Sequence, residues 1–224
     1  MSLFKSWKSD GAVFAIWKVE ETGGELRAML GDSLPYDAEL SALRAESRRT
    51  EYLAVRVLLK ALCGEEKQVG HFPSGKPFLT DQSYRLSISH TRGYVAVALH
   101  PSAEVGVDIE QVADRVLRIA GRFMCAEELD GETEAVKGFA GDSRTSTLYY
   151  MLLHWSAKET LYKLMGEEEV DFREHLRVMP FHLQQQGDFV AGAYKSSPPA
   201  SYQVCYMVHP DFVCTWSVQA KKYF

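Results

Sequence analysis

The stretch EVGVDIEQV, residues 104–112, decides the fold because it combines the apolar pattern of a buried strand with two acids. Side chains alternate across a β-strand, so Asp108 and Glu110 are predicted to share one face while the apolar residues between them face the core. Gly106, just before the pair, leaves room for a close neighbour. Two carboxylates on one face repel each other. The pattern therefore predicts either a solvated polar face or a site for a cation.

Strand and helix patterns alternate along the rest of the chain and predict an α+β fold. The short turn TRG between two β-branched runs predicts a hairpin, and Gly64 and Gly166 are helix stop signals. The stretch 130–147 is polar and is predicted to be a loop. The predicted helices are 37–64, 115–129 and 147–166; the predicted strands are 12–19, 84–90, 94–100, 104–110, 181–184, 188–194, 202–209 and 212–220.

The order of strand, helix and strands occurs twice, with a boundary near residues 100–110. We therefore predict two similar α/β subdomains, 1–102 and 103–224, although direct sequence similarity between the halves is faint.

Composition excludes several classes of function. The chain has 224 residues, 46% hydrophobic and 25% charged, with a net charge of −5, so it is not a nucleic-acid-binding polycation. The four cysteines form no CxxC pair and are predicted to be free thiols. The N-terminus lacks an apolar signal core and no stretch is long enough to span a membrane. These features predict a cytoplasmic protein without a membrane anchor.

The late helix carries charged residues in an otherwise apolar and aromatic context. In HWSAKETLYKL (residues 154–164), Glu159 and Lys163 are four residues apart and share a helix face. One interpretation is an ordinary ion pair on a helix surface. The other is that Glu159 joins the two strand carboxylates, because three oxygen ligands with open positions suit Mg²⁺ and the phosphates it accompanies.

Basic and polar residues in the first half could hold a phosphate group. Arg49 and Arg56 lie on one side of the predicted helix, Lys76 lies on the turn SGKP, and Ser89 and His90 end a strand at the TRG turn. Each also has an ordinary interpretation, as a solvated helix face, a surface turn or a structural histidine.

Two motifs together resemble the 4′-phosphopantetheinyl transferases. VGVDIE (residues 105–110) and WSAKETLYK (residues 155–163) are similar to the paired family signature, G-I/V-D-I/V-E followed by W-S/T-x-K-E-x-x-x-K. SGKPFL and SISHTRGYVAVAL resemble two upstream blocks of the long, surfactin-synthetase-activating members. The matching positions of the two motifs are Gly106, Asp108, Glu110, Trp155, Ser156, Lys158, Glu159 and Lys163.

The resemblance implies a reaction. The family moves 4′-phosphopantetheine from coenzyme A to a serine hydroxyl of an apo acyl or peptidyl carrier protein and releases adenosine 3′,5′-bisphosphate. Asp108, Glu110 and Glu159 correspond to its carboxylates for Mg²⁺, with Mn²⁺ as the alternative. Glu159, or a water that it holds, would be the general base, and Asp108 and Lys163 complete the implied catalytic set. In the long members two halves related by a pseudo-twofold lie in one monomeric chain, with the active site between them.

The resemblance also assigns the remaining residues. Its implied coenzyme A contacts are Arg49, Arg56, Lys76, Ser89, His90, Lys158 and Lys163. Carrier proteins present an acidic helix, and we expect docking on the segment Val112–Phe123, where Arg115, Arg118 and Arg122 share a helix face. A plain surface helix with solvated arginines is the alternative.

Two rival functions remain open from sequence. The first is another Mg²⁺-dependent phosphate enzyme, although the chain has no G-x-x-x-x-G-K-S/T phosphate loop. The second is a carrier-binding module that has lost turnover.

Overall fold

The computed structural model describes residues 2–139, 142–166, 169–195 and 199–219. It confirms the predicted mixed α/β fold, with helices packed on antiparallel sheets. By its contacts the chain divides into two compact units, residues 1–102 and 103–224. In the described part of the chain no helix is both long and apolar enough to cross a membrane.

The first unit contains β1 Leu3–Ser9, β2 Ala12–Lys18, α1 Gly23–Ala28, α2 Tyr36–Ser41, α3 Glu46–Cys63, β3 Val69–His71, β4 Pro77–Leu79, β5 Arg85–Thr91 and β6 Tyr94–His100. Four of its strands form an antiparallel sheet in the order β1-β2-β6-β5, and β3 and β4 form a separate two-stranded ribbon. Helix α3 packs on the four-stranded sheet through aliphatic residues such as Leu53 and Leu58, which join a core with Trp17 and Val97.

The second unit contains β7 Val105–Gln111, α4 Arg115–Ile119, a 3₁₀ turn Ala120–Arg122, α5 Ala126–Asp130, α6 Glu132–Ala135, α7 Ser143–Met165, β8 Leu176–Val178, β9 Gln186–Ala193, β10 Ala200–Val208 and β11 Phe212–Val218. Its strands form a five-stranded antiparallel sheet in the order β7-β11-β10-β9-β8, and helix α7 packs against β7 and β11. The side chain of Asp142 caps the start of α7 by accepting from the Thr145 amide at 3.0 Å, and Gly166 ends the helix with a φ of +64°.

Several element predictions are confirmed. The TRG hairpin is the pair β5–β6, in which Thr91 faces Tyr94 across a two-residue turn, and Gly93 takes a φ of +78° there. The strong helix at 147–166 is α7, which begins a few residues earlier than predicted.

Other element predictions are wrong. The single helix at 37–64 is two helices, and the Arg49 guanidinium donates to the Leu43 carbonyl (2.8 Å) freed by the break. Residues 115–129 form two short helices joined through a 3₁₀ turn, the predicted loop at 130–147 contains α6 and the start of α7, and residues 181–184 form no strand. Strand β1 was missed, because its alternation is weak and its side chains are largely exposed.

Candidate active site in the second unit

Gly106 allows β7 and α7 to approach closely. A Cβ atom on this residue would lie 2.4 Å from the backbone oxygen of Thr160, well inside van der Waals contact. The glycine thus brings the acidic strand face directly against the polar face of the helix, as its position in the sequence indicates.

Asp108 and Lys163 form the ion pair that joins the two sequence motifs. The Lys163 Nζ lies 2.7 Å from Asp108 Oδ1 and 3.3 Å from the Val107 carbonyl. The aspartate side chain is 3% exposed and the lysine side chain 25% exposed, so the pair lies at the edge between core and solvent. Lys163 was expected beside Glu159 or a phosphate; the structure gives it Asp108 as a partner.

Hydroxyl groups support the other oxygen of Asp108. Ser156 Oγ donates to Asp108 Oδ2 at 2.8 Å and lies 2.9 Å from Thr215 Oγ1. Thr160 Oγ1 lies 2.6 Å from the same Thr215 hydroxyl. None of these three hydroxyl groups was predicted from sequence to have a role. Ser156 stands at a motif position, but Thr215 becomes visible only once β11 pairs with β7, where it faces Asp108.

Glu110 is held by the motif tryptophan. Trp155 Nε1 donates to Glu110 Oε1 at 2.8 Å. The indole ring packs edge-on to Phe123, with centroids 5.1 Å apart, and against Phe172 at 5.5 Å. Trp155 therefore packs between aromatic rings and also orients an acid of the site.

The electrostatics of the acids indicate an excess of negative charge. Burial, followed by repulsion from Asp108, raises the pKa of Glu159 to about 7, and Lys163 opposes this only in part. The same two causes, in the same order, raise the pKa of Glu110. A cation placed among these carboxylates would relieve both effects.

The chemistry of the donor atoms at this site suits a divalent metal, but their present positions do not form a complete metal site. Carboxylate oxygens are the donors that Mg²⁺ prefers. Within the described residues, however, no three His, Cys, Asp or Glu side chains are grouped closely enough to hold an ion as they stand. Completing the coordination would need side-chain movements and oxygens from a ligand or water.

Lys158 lies on the other side of α7 and differs from its expected role. Its side chain is fully buried; Nζ lies 2.8 Å from Glu128 Oε2 and donates to the Phe123 carbonyl at 2.6 Å. Burial lowers the pKa of Lys158, and Glu128 opposes the shift. With its donors directed into the protein, this ammonium cannot reach a bound phosphate, so the structure favours a structural role over coenzyme A contact.

Comparison with known proteins agrees with this arrangement. The family model of the 4′-phosphopantetheinyl transferase superfamily matches residues 104–216, half of the chain and the part that holds both motifs. The chain belongs to this superfamily. It is also 25% identical over 130 residues to L-aminoadipate-semialdehyde dehydrogenase-phosphopantetheinyl transferase from Xenopus laevis. That alignment covers 51% of this chain and only 42% of the relative.

The other residues expected from the superfamily resemblance lie in the first unit, where Arg56 differs from its expectation. Its side chain is 7% exposed, stacks over the Tyr52 ring at 3.9 Å and lies 3.7 Å from Glu39. Burial lowers the pKa of Arg56, with Tyr52 and Glu39 opposing. These contacts direct the guanidinium toward protein partners. Arg49 is more open: its side chain is 41% exposed and lines a cleft of ≈ 330 Å³.

The predicted phosphate contacts at the TRG turn have an unpredicted neighbour. His90 is half-exposed at the end of β5, and Arg48 Nη1 lies 3.1 Å from its Nε2. Glu51 lies 2.9 Å from the same guanidinium. Ser89 is buried beside His90, whereas Lys76 is partly buried on the turn after β3. Arg48, adjacent in sequence to the predicted Arg49, is thus the arginine that the structure brings to His90.

The expected docking segment Val112–Phe123 presents its arginines to solvent. Arg115, Arg118 and Arg122 are all exposed, and none has an ion-pair partner among residues 2–139, 142–166, 169–195 and 199–219. Val116, Ala120 and Phe123 hold the segment in place, because they are buried in the same core as the apolar residues of α7. The result is a basic surface on a fixed support.

Proposed function

We propose that this protein transfers 4′-phosphopantetheine from coenzyme A to a serine hydroxyl of an apo carrier protein. The observation that carries the proposal is the Asp108–Lys163 pair, which joins the two superfamily motifs at 2.7 Å. Around it, Glu110 and Glu159 are acids whose pKa values are raised by burial and by Asp108. A long, surfactin-synthetase-activating type of transferase is the subtype that the sequence resemblance favours.

The chemistry follows from these groups. A serine oxygen attacks the phosphorus that carries the pantetheine, its bond to the pyrophosphate oxygen breaks, and adenosine 3′,5′-bisphosphate leaves. Glu159, directly or through a water, takes the serine proton as the general base. Lys163, partly exposed beside Asp108, offsets the negative charge that develops on the 5′-phosphate of the leaving adenosine 3′,5′-bisphosphate.

Mg²⁺ is the metal that we propose for the three carboxylates Asp108, Glu110 and Glu159. When bound, it would neutralise the pyrophosphate and polarise the bond that breaks. Trp155 donates to Glu110 and Ser156 donates to Asp108, so two of the three acids already have protein donors that fix their orientation.

Coenzyme A contacts are proposed for Arg49, Lys76, Ser89 and His90, with Arg48 added by its contact with His90. Arginine and histidine donors suit the terminal phosphate of this substrate. Arg56 and Lys158 are removed from the proposed set, because both are buried against acidic protein partners.

The carrier protein is proposed to dock on Val112–Phe123. Three exposed arginines, which form no ion pair within the described part of the chain, attract an acidic helix and speed its encounter. Replacing Arg118 with glutamate should raise the KM for carrier protein by about tenfold and leave the KM for coenzyme A unchanged. Arg85→Glu, at an exposed position on β5, is the control. Equal effects of the two variants, or no effect of Arg118→Glu, would remove this docking site.

Intact-mass spectrometry tests the activity itself. Purified apo carrier protein is mixed with the enzyme, coenzyme A and Mg²⁺, using carriers of fatty acid, polyketide and peptide synthesis in turn. We expect a gain of one phosphopantetheine group, lost with EDTA or with Asp108→Ala. Glu134→Ala, which removes an exposed carboxylate paired with Lys137 outside the proposed docking segment, should retain it.

Two negative results have different meanings. Binding of coenzyme A without transfer to any carrier would indicate a module that has lost turnover. Folded protein with neither binding nor transfer would contradict the proposed function.

A further inference from the structure

The hydroxyls behind Asp108 form a connected chain that the proposed mechanism does not use. Ser156 comes from α7, Thr215 from β11 and Thr160 from α7 one turn later, and each of the three is 0% exposed. The oxygen–oxygen distances along the chain are 2.6 Å from Thr160 to Thr215, 2.9 Å from Thr215 to Ser156 and 2.8 Å from Ser156 to Asp108. Buried polar groups are normally hydrogen-bonded, and these three hydroxyls meet that need through one another and Asp108.

The end of the chain sets the direction of its hydrogen bonds. A carboxylate accepts only, so the single proton of Ser156 is donated to Asp108 Oδ2. The bond between Ser156 and Thr215 then needs the Thr215 proton, and the bond between Thr215 and Thr160 needs that of Thr160. The Thr215 carbonyl, at 3.3 Å, is a longer alternative for Thr160. Each hydroxyl therefore points its proton toward Asp108.

We propose that Thr215 and Thr160 are positioning residues for Asp108. Their donation to Ser156 keeps the serine proton on Asp108 Oδ2, since a serine in a helix is otherwise free to turn toward the carbonyl one turn back. With Oδ2 held, Oδ1 keeps its place beside Lys163, where substrate and metal are proposed to bind. This inference rests on the proposed function, and it assigns a role to a strand residue outside both motifs.

The test compares Thr215→Val, which keeps the shape and loses the hydroxyl, with Thr215→Ser, which keeps the hydroxyl. We expect Thr215→Val to weaken Mn²⁺ binding by the protein alone, measured by electron paramagnetic resonance, and to lower kcat, each by about tenfold. The KM for carrier protein should not change. Thr215→Ser should keep the Mn²⁺ affinity and kcat near their wild-type values. Thr160→Val is the second variant and should show a smaller change in the same direction.

Ser217→Ala is the matched control, because Ser217 is a buried hydroxyl of the same strand that donates to the Gln203 carbonyl at 2.7 Å. If Thr215→Val and Ser217→Ala have the same Mn²⁺ affinity and kcat, the inference is overturned. A wild-type protein without transfer would contradict the proposed function, while the Mn²⁺ comparison would still judge the positioning role. If the wild-type protein transfers phosphopantetheine but does not bind Mn²⁺ in the absence of substrate, the comparison of kcat values decides the positioning role. If it shows neither transfer nor Mn²⁺ binding, both proposals are overturned.

Discussion

Helix α7 carries two lysine–carboxylate pairs of nearly equal length and very different surroundings. Lys158 and Glu128 are 2.8 Å apart, and their side chains are 0% and 1% exposed. Lys163 and Asp108 are 2.7 Å apart, with side chains 25% and 3% exposed. The difference between the pairs lies in how completely their charges are satisfied.

The buried pair is closed. Glu128 accepts from the Cys125 amide with Oε2 and from the Val178 amide with Oε1, each at 2.8 Å, while Lys158 also donates to the Phe123 carbonyl. Both charges therefore have protein partners, and the pair ties α5 and β8 to α7. The Asp108 pair is open, because the partly exposed ammonium of Lys163 also attracts Glu110 and Glu159, two acids whose pKa values remain raised. A closed pair holds the fold, and an open one is available for ligand chemistry.

The largest expected effect is on stability, at the closed pair. Replacing Lys158 with methionine leaves the Glu128 charge buried without its counter-ion, which should lower the free energy of unfolding by about 3–5 kcal/mol. Urea denaturation followed by circular dichroism measures this loss.

Two further variants sharpen that measurement. Lys137→Met, which breaks an exposed pair with Glu134, should cause no measurable change. Adding Glu128→Gln to Lys158→Met should recover part of the loss, because the remaining charge is removed. If Lys158→Met unfolds at the wild-type urea concentration, the structural assignment of this pair is wrong.

The next effect is on catalysis, at the open pair. Lys163→Ala should lower kcat for transfer by about 10²–10³-fold, because a cation that offsets charge in the transition state is lost. The loss of stability should be smaller than that of Lys158→Met, since Ser156 still donates to Asp108 and solvent reaches the site. Steady-state kinetics and urea denaturation of the same preparation check both parts; retained turnover would break the comparison.

The smallest expected effect is a dependence of folding stability on pH, caused by His154, which lies one helical turn before Lys158 of the closed pair. His154 is fully buried, and burial lowers its pKa to about 4, with Glu128 opposing the shift and Lys158 adding to it. In the unfolded chain His154 has an ordinary pKa near 6.5, so between about pH 6.5 and 4 it binds a proton in the unfolded chain and not in the folded protein. Folded stability should therefore fall as the pH drops through this window, by up to about 1.4 kcal/mol per pH unit.

Urea denaturation at several pH values between 6.5 and 4 measures this dependence. The His154→Gln variant should lose that part of the slope, whatever its stability at neutral pH. An unchanged slope in the variant would show that other groups cause the acid sensitivity.

Much of the fold and of the candidate site could be predicted from sequence, for physical reasons that differ from one residue to the next. The alternation that puts Asp108 and Glu110 on one face, and the glycine that admits α7, depend on local backbone geometry. The opposite placement of Lys158 and Lys163 was also accessible, since five residues at about 100° each place them roughly 140° apart around the helix. That angle separates a lysine beside β7 from one directed toward α5.

Other contacts depend on tertiary pairing and left no local signal. Thr215 reaches Asp108 only because β11 pairs with β7 in one register. Glu128 lies in a segment that looked like the end of an amphipathic helix, and its burial depends on β8 and α7 together. Arg56 was expected to contact coenzyme A, yet it is Arg48 that lies against His90.

The most direct test of the contrast between the two pairs uses Glu128→Gln and Asp108→Asn side by side, with urea denaturation and the carrier-protein mass assay on each. We predict that Glu128→Gln loses stability while its folded fraction still transfers phosphopantetheine, and that Asp108→Asn remains stably folded and transfers none. Full transfer by Asp108→Asn, or loss of transfer by well-folded Glu128→Gln, would contradict the account.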